Sequence, residues 1–164
     1  MKMRVFAVCV VIFLVCGITP SCQKSSMTND LKELGFYSVA SGKAQYISFK
    51  EYNDVGSLRG LPVTDFPVIP TLRQGDYFLL YGDMPKGPMD TGSEVSSYKL
   101  NGDVYKYSQA GCSTESFFSM EPMEPVRGNK CTKLTPKPPI SKGTYFLHKH
   151  VGGSGGAYLG FHIE

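Results

Sequence analysis

The chain has no run of basic residues. Its net charge is +3, and Lys2 and Arg4 sit at the extreme N-terminus. The remainder is close to neutral, so nucleic-acid binding has no electrostatic footprint here. Long Leu/Ala/Glu stretches are few, while ten Tyr, ten Phe and many Gly and Pro point to β structure. Catalytic signatures are missing as well. No serine stands in Gly-x-Ser-x-Gly. Asp76, Asp83 and Asp90 lie around Pro/Gly turns without the loop spacing of an EF-hand, and read as turn carboxylates. The glycines of Gly152-Gly153-Ser154-Gly155-Gly156 precede a strand, not a helix, so they form no phosphate cradle. No enzyme activity and no cofactor are expected.

Five cysteines carry the most information, because three of them lie at or before position 22. Cys9 and Cys16 belong to the apolar run Val5 to Ile18, which follows the charged Met1-Lys2-Met3-Arg4. That run is about 14 residues, against about 20 for a membrane-spanning helix. It reads as a secretory signal rather than an anchor, although an uncleaved anchor remains an alternative. The end of the run lacks an Ala-x-Ala-like site, and Pro20 disfavours ordinary cleavage nearby.

The segment Ile18-Thr19-Pro20-Ser21-Cys22-Gln23-Lys24-Ser25-Ser26 resembles a bacterial lipoprotein signal. It has a small residue, Ser21, directly before Cys22, then a polar linker. Thr19 stands where that family usually has Leu. The resemblance implies that Cys22 becomes the acylated first residue of the mature chain, palmitate being one such acyl group. It also implies that the protein meets the membrane through that lipid. Gln23 is not the Asp that retains such proteins at the inner membrane, so the resemblance implies an outer-membrane location. Ordinary secretion is the alternative. The expected organisation is a signal peptide over 1–21, a polar tether over 22–29 and one β-rich domain over 30–164. About 143 mature residues suit one domain.

Asp30 to Gly35 fits one helical turn, with Asp30 capping and Glu33 three residues on. Phe36 to Ala40 and Ala44 to Phe49 read as strands around Ser41-Gly42-Lys43. Arg59 to Pro70, interrupted by Pro62, Pro67 and Pro70, reads as irregular or edge structure. Gly75 to Gly82 is a buried strand, and Asp83 to Ser93 a loop. Val95 to Leu100 and Val104 to Ser108 flank Asn101-Gly102, a hairpin signal. Gly111 to Lys130 reads as polar and irregular, and Pro136, Pro138 and Pro139 as a stiff connector. Gly143 to Val151 and Ala157 to Ile163 are the last strands. Leu72 to Leu79 parallels Ile140 to Leu147, each entering a strand through Gly. Duplication and convergence both account for this.

The body also resembles small β domains of uncharacterised extracytoplasmic bacterial proteins. Gly35-Phe36-Tyr37-Ser38-Val39, Gly42-Lys43, Leu61-Pro62, Lys142 to His148 and Gly160 to Ile163 carry that likeness. It implies no activity. The expected fold is all-β, an antiparallel sandwich or partly open barrel of about seven strands.

Cys112 and Cys131 are the only cysteines left after export, and an oxidising compartment would join them in a disulfide. The final hairpin holds all three histidines. If Val151 pairs with Ala157, alternation puts Tyr145, Leu147, Leu159, Phe161 and Ile163 on a core face. His148, His150 and His162 then share the outer face with Phe146 and Tyr158. That face reads as a solvated surface, as a contact surface for an envelope protein or glycan, or as a zinc or copper site. The overall expectation is a lipid-anchored envelope protein with a binding or structural role. The alternative is a metal-binding envelope protein using the histidine face. A small hydrolase is a third possibility but lacks a visible nucleophile–base pair.

The lipoprotein reading has a direct test. Cys22→Ser should abolish incorporation of radiolabelled fatty acid and release the protein from membranes. Unchanged labelling would refute it.

Overall fold

A computed structural model describes residues 27–54, 59–82, 93–150 and 155–164, with the side chain of His150 outside that set. The expectations for the signal 1–21, for Cys9, Cys16 and Cys22, for the loop at 83–92 and for Val151 to Ser154 fall outside it.

The described residues form two antiparallel sheets. The first five-stranded sheet takes the order β2-β1-β6-β10-β9. Its members are β1 (Gly35–Ala40), β2 (Lys43–Ile47), β6 (Tyr77–Tyr81), β9 (Phe118–Val126) and β10 (Asn129–Pro136). The second runs β3-β12-β11-β7-β8-β4, with β5 added in parallel on β12. It comprises β3 (Lys50–Tyr52), β4 (Leu61–Pro62), β5 (Thr71–Leu72), β7 (Ser93–Asn101), β8 (Val104–Ser113), β11 (Gly143–His150) and β12 (Gly156–Ile163). The fold is all-β, as the sequence indicates.

The turns follow from a few residues. Ser41 and Gly42 both have positive φ, 50° and 76°, the pattern of the tight turn whose twist suits a two-residue hairpin. Arg127 and Gly128 repeat it at 50° and 77° between β9 and β10. In the β7–β8 hairpin Asn101 pairs with Val104, so Gly102 and Asp103 are the loop, not Asn101 and Gly102. Gly102 takes φ 66° as the first loop residue.

The sheets meet over one aromatic core. Phe36, Phe78, Phe118 and Leu134 from the first sheet face Val95, Leu147, Leu159 and Phe161 from the second. Phe78 and Phe161 meet edge to face at 5.2 Å. Both outer faces are apolar too. Tyr37, Val39, Leu79, Tyr81 and Cys131 cover the outside of the first sheet and pack under Met27 and Leu31. Phe146, Tyr105 and Tyr158 lie on the far side of the second, under Leu61 and Phe66. That second cover is fastened at both ends. Val63 N donates to Asp103 O at 2.9 Å, His162 N donates to Pro70 O at 2.8 Å, and Tyr52 OH donates to Asp65 Oδ2 at 2.8 Å.

Several expectations are corrected. Twelve strands occur among the described residues, against about seven expected. Residues 27–29 are no tether: Met27 is 7 % exposed, and Arg127 donates to the carbonyls of Leu31 and Thr28 at 3.0 and 3.3 Å. The helical turn covers 27–30 rather than 30–35, and Asp30 instead accepts from Ala44 N at 3.1 Å. Gly111 to Lys130 is mostly strand. Its β9 carries Pro122 and Pro125, which an edge strand tolerates because no outward ladder bond is lost. Asp76 does behave as a turn carboxylate, accepting from Arg73 N at 2.9 Å.

The expected Cys112–Cys131 disulfide is absent, and both are free thiols. Cys112 is exposed and pairs with Val95 in the second sheet. Cys131 is buried on the outer face of the first sheet, opposite Met123. Cys112 thus stands opposite Val95 of the inter-sheet core, whereas Cys131 faces away from that core.

The final hairpin keeps its expected faces but not its expected pairing. Lys149, not Val151, pairs with Ala157, and His162 opposes Thr144 rather than Phe146. A slip of two residues preserves which side each residue faces. The outer face is not solvated, however: Phe146 is 0 %, His148 7 % and Tyr158 4 % exposed. Phe161→Ala should therefore lower stability by about 3–5 kcal/mol, and so should Phe146→Ala on the opposite face. Chemical denaturation measures both. A near-neutral Phe146→Ala would mean that the 61–70 cover does not bury that face.

Candidate binding groove and the histidine face

The geometry of β7 and β8 is irregular where they run past the first sheet. Between the pairs Val95–Cys112 and Ser97–Gln109, the two residues Ala110 and Gly111 oppose the single residue Ser96. Between Ser97–Gln109 and Tyr98–Tyr107, Ser108 is an extra residue. Bulges bend a strand and raise its twist, and they recur beside functional sites. Glycine is required at 111. A Cβ there would lie 1.9 Å from Val95 O and 2.6 Å from Ser96 Oγ. Ser97 and Ser108 hydroxyls hydrogen-bond across the ribbon at 2.9 Å.

β8 ends at Ser113, which caps a single helical turn over Thr114–Phe117 by accepting from Ser116 N. Phe117 enters the inter-sheet core and anchors that turn. The connector from β10 to β11 passes beside it. Lys137 N donates to Phe117 O at 2.8 Å, Lys137 Nζ donates to Glu115 O at 2.6 Å, and Tyr145 OH donates to Ser141 O at 2.7 Å. The bulged ribbon, the helical turn and the connector enclose an open groove of about 570 Å³.

The groove is polar and cationic. Lys99, Lys137 and Lys142 line it with the hydroxyl residues Ser97, Ser108, Ser116, Ser141 and Thr144. Among its described lining residues none is acidic. The exposed Cys112 thiol is also at its wall. Sequence reading missed this site. The lysines are scattered from 99 to 142, and only the bulges and the prolyl connector bring them to one cleft.

The histidines do not converge. His148 pairs with Tyr158 and His162 with Thr144, so the two stand four residues apart along β12, about 13 Å at the usual rise. One ion cannot bridge them. The side chain of His150 lies outside the described set, and among the described residues no group of three His, Cys, Asp or Glu side chains gathers to hold a metal. The alternative of a zinc or copper site at His148, His150 and His162 therefore loses its common centre, because His148 and His162 are too far apart to share an ion.

Each described histidine is instead built into packing. His148 stacks on Tyr158 with rings 5.3 Å apart and nearly parallel. Its Nε2 is 3.2 Å from Ser96 Oγ and 3.9 Å from Glu94 Oε2. The cross-strand pairing thus brings together a serine and a histidine that sequence reading did not connect. Ser96 is 1 % exposed, so its hydroxyl is closed to an outside substrate. Ser96 and Glu94 approach the same ring nitrogen, whereas a triad uses both. His162 Nδ1 lies 2.9 Å from Thr144 Oγ1. No protein-family model, curated protein or solved structure matches this chain.

Burial holds the His162 imidazole below its usual range, partly opposed by the Glu164 carboxylate. A histidine whose folded pKa is depressed stabilises the fold above the unfolded value of about 6.5, and that contribution is lost as pH falls through the folded pKa. Melting temperature should therefore fall with acidification below about pH 6.5. His162→Gln should flatten that limb of the curve. An identical acid limb in the variant would show that His162 does not couple folding to pH.

Proposed function

We propose that this is a binding protein of the bacterial cell envelope, tethered by lipid on Cys22, whose groove holds an acidic glycan chain. The observation that carries the reading is the lining of the groove: three lysines and a row of hydroxyls around an open cleft of about 570 Å³, with no carboxylate among the described lining residues. Hydroxyl groups match the donor and acceptor pattern of sugars, and ammonium groups match their carboxylates. The cationic character is local, on a chain whose net charge is only +3. That favours recognition of spaced sugar acids over a continuous phosphate backbone. No chemical step is assigned to the groove.

The full-length protein in detergent micelles should co-sediment with acidic envelope polysaccharide and not with neutral polysaccharide. Added salt should weaken the association. The double variant Lys99→Glu, Lys142→Glu should bind at least about tenfold more weakly, while Lys32→Glu, outside the groove, should bind normally. Equal binding of neutral polysaccharide, or full binding by the double variant, would overturn the reading.

A further inference from the structure

The outer face of the first sheet carries a feature that the groove does not use. Cys131 on β10 and Met123 on β9 are directly opposed in register. Directly opposed residues place their Cβ atoms about 5 Å apart on the same face. Met27 comes down on that face from the N-terminal segment and belongs to the same apolar cluster as Cys131 and Met123. Met27 Sδ accepts a hydrogen bond from Tyr77 OH at 3.4 Å.

These three sulfur side chains line one cavity of about 530 Å³. Methionine in a core ordinarily fills irregular gaps. Here a gap is left among the described residues. Arg127, at the tip of the β9–β10 hairpin, holds the covering segment in place through the carbonyls of Leu31 and Thr28. The thiol itself is buried, with a long contact from Sγ to Asn129 O at 3.9 Å and a further backbone partner in Val126. Burial pushes the Cys131 thiol up, partly opposed by the Val126 backbone.

We infer that this cavity is a binding site for a soft monovalent metal ion, Cu(I), ligated by Cys131 and Met123 and closed by Met27. Thiolate and thioether sulfur select Cu(I) over the harder divalent ions. Binding replaces the thiol proton: the S–H bond breaks, the S–Cu bond forms, and one proton leaves to solvent with no change of oxidation state. The site joins two strands of the sheet to the N-terminal cover, so metal should tighten that cover.

The test uses full-length protein with Cys9, Cys16 and Cys22 changed to Ser, reduced and kept without oxygen. It is titrated with Cu(I) against bathocuproine disulfonate. One copper per chain should be withdrawn from the competitor, with an ultraviolet thiolate-to-copper charge-transfer band. Cys131→Ser should weaken binding by at least about 100-fold and remove the band. Met123→Leu, which nearly conserves volume, should weaken it by about tenfold while leaving the unfolding midpoint of the metal-free protein close to wild type. Cys112→Ser should change nothing, and Zn(II) should compete poorly. Binding that survives Cys131→Ser, binding lost in Cys112→Ser, or failure to take copper from the competitor would overturn the inference.

Discussion

Phe146 and Leu147 are consecutive and both fully buried, so β11 has no solvent side at its centre. The same holds for Phe78 and Leu79 in β6. Side chains of neighbouring strand residues point to opposite faces. A sheet with both faces apolar must be covered twice, and two sheets packed on each other cover only one face each. The chain meets this with two short covering segments. Residues 27–34 lie over Leu79 and Tyr81, and residues 61–70 lie over Phe146 and Tyr158. Their own backbone bonding explains why they need specific fasteners such as Arg127 to Leu31 O and Tyr52 to Asp65. An irregular segment has no ladder of its own, so its buried polar groups must find partners one by one.

The two central strands also bear on the likeness between Leu72 to Leu79 and Ile140 to Leu147. Aligned by sequence, Phe78 matches Phe146 and Leu79 matches Leu147. Phe78 points into the inter-sheet core, but Phe146 points away from it. Leu79 and Leu147 are reversed in the same sense. A duplicated strand related by sandwich symmetry would keep its inward face. Convergence on a glycine turn followed by an aromatic, doubly buried strand accounts for the pattern better.

Much of the fold was legible because local signals were strong. Ser41-Gly42 set a hairpin, Gly75 to Gly82 set a central strand, and the alternation of the last hairpin set its faces. The register of that hairpin was not legible, since residues 151–156 offer no residue that fixes loop length. The β9–β10 hairpin was hidden by Pro122 and Pro125, which speak against a central strand but allow an edge. Neighbour order was the larger gap. Polar alternation suggested that His148 and Tyr158 faced water, because nothing in the hairpin itself reveals that Leu61 and Phe66 will cover it. The groove was invisible for a related reason. Its lysines come from three segments, and the bulges around Ser108 to Gly111 that shape it leave only Gly111 as a trace in the sequence.

Counting cysteines shows the same limit in sharper form. After the three at or before position 22, a pair remains, and parity suggests that they join. Parity carries no information about facing. Cys131 lies opposite Met123, under the N-terminal cover, and Cys112 lies at the wall of the groove. A disulfide needs Cα atoms within about 7 Å of each other. Cys112 stands opposite Val95 of the inter-sheet core and Cys131 faces away from that core, so the two side chains do not face each other. The two thiols therefore have separate chemistry. One meets solvent among lysines, and the other is buried in an apolar cluster with Met27, Met123 and Tyr81. What each can do is set by the sheet face that carries it, and that face is decided by the double burial of the central strands.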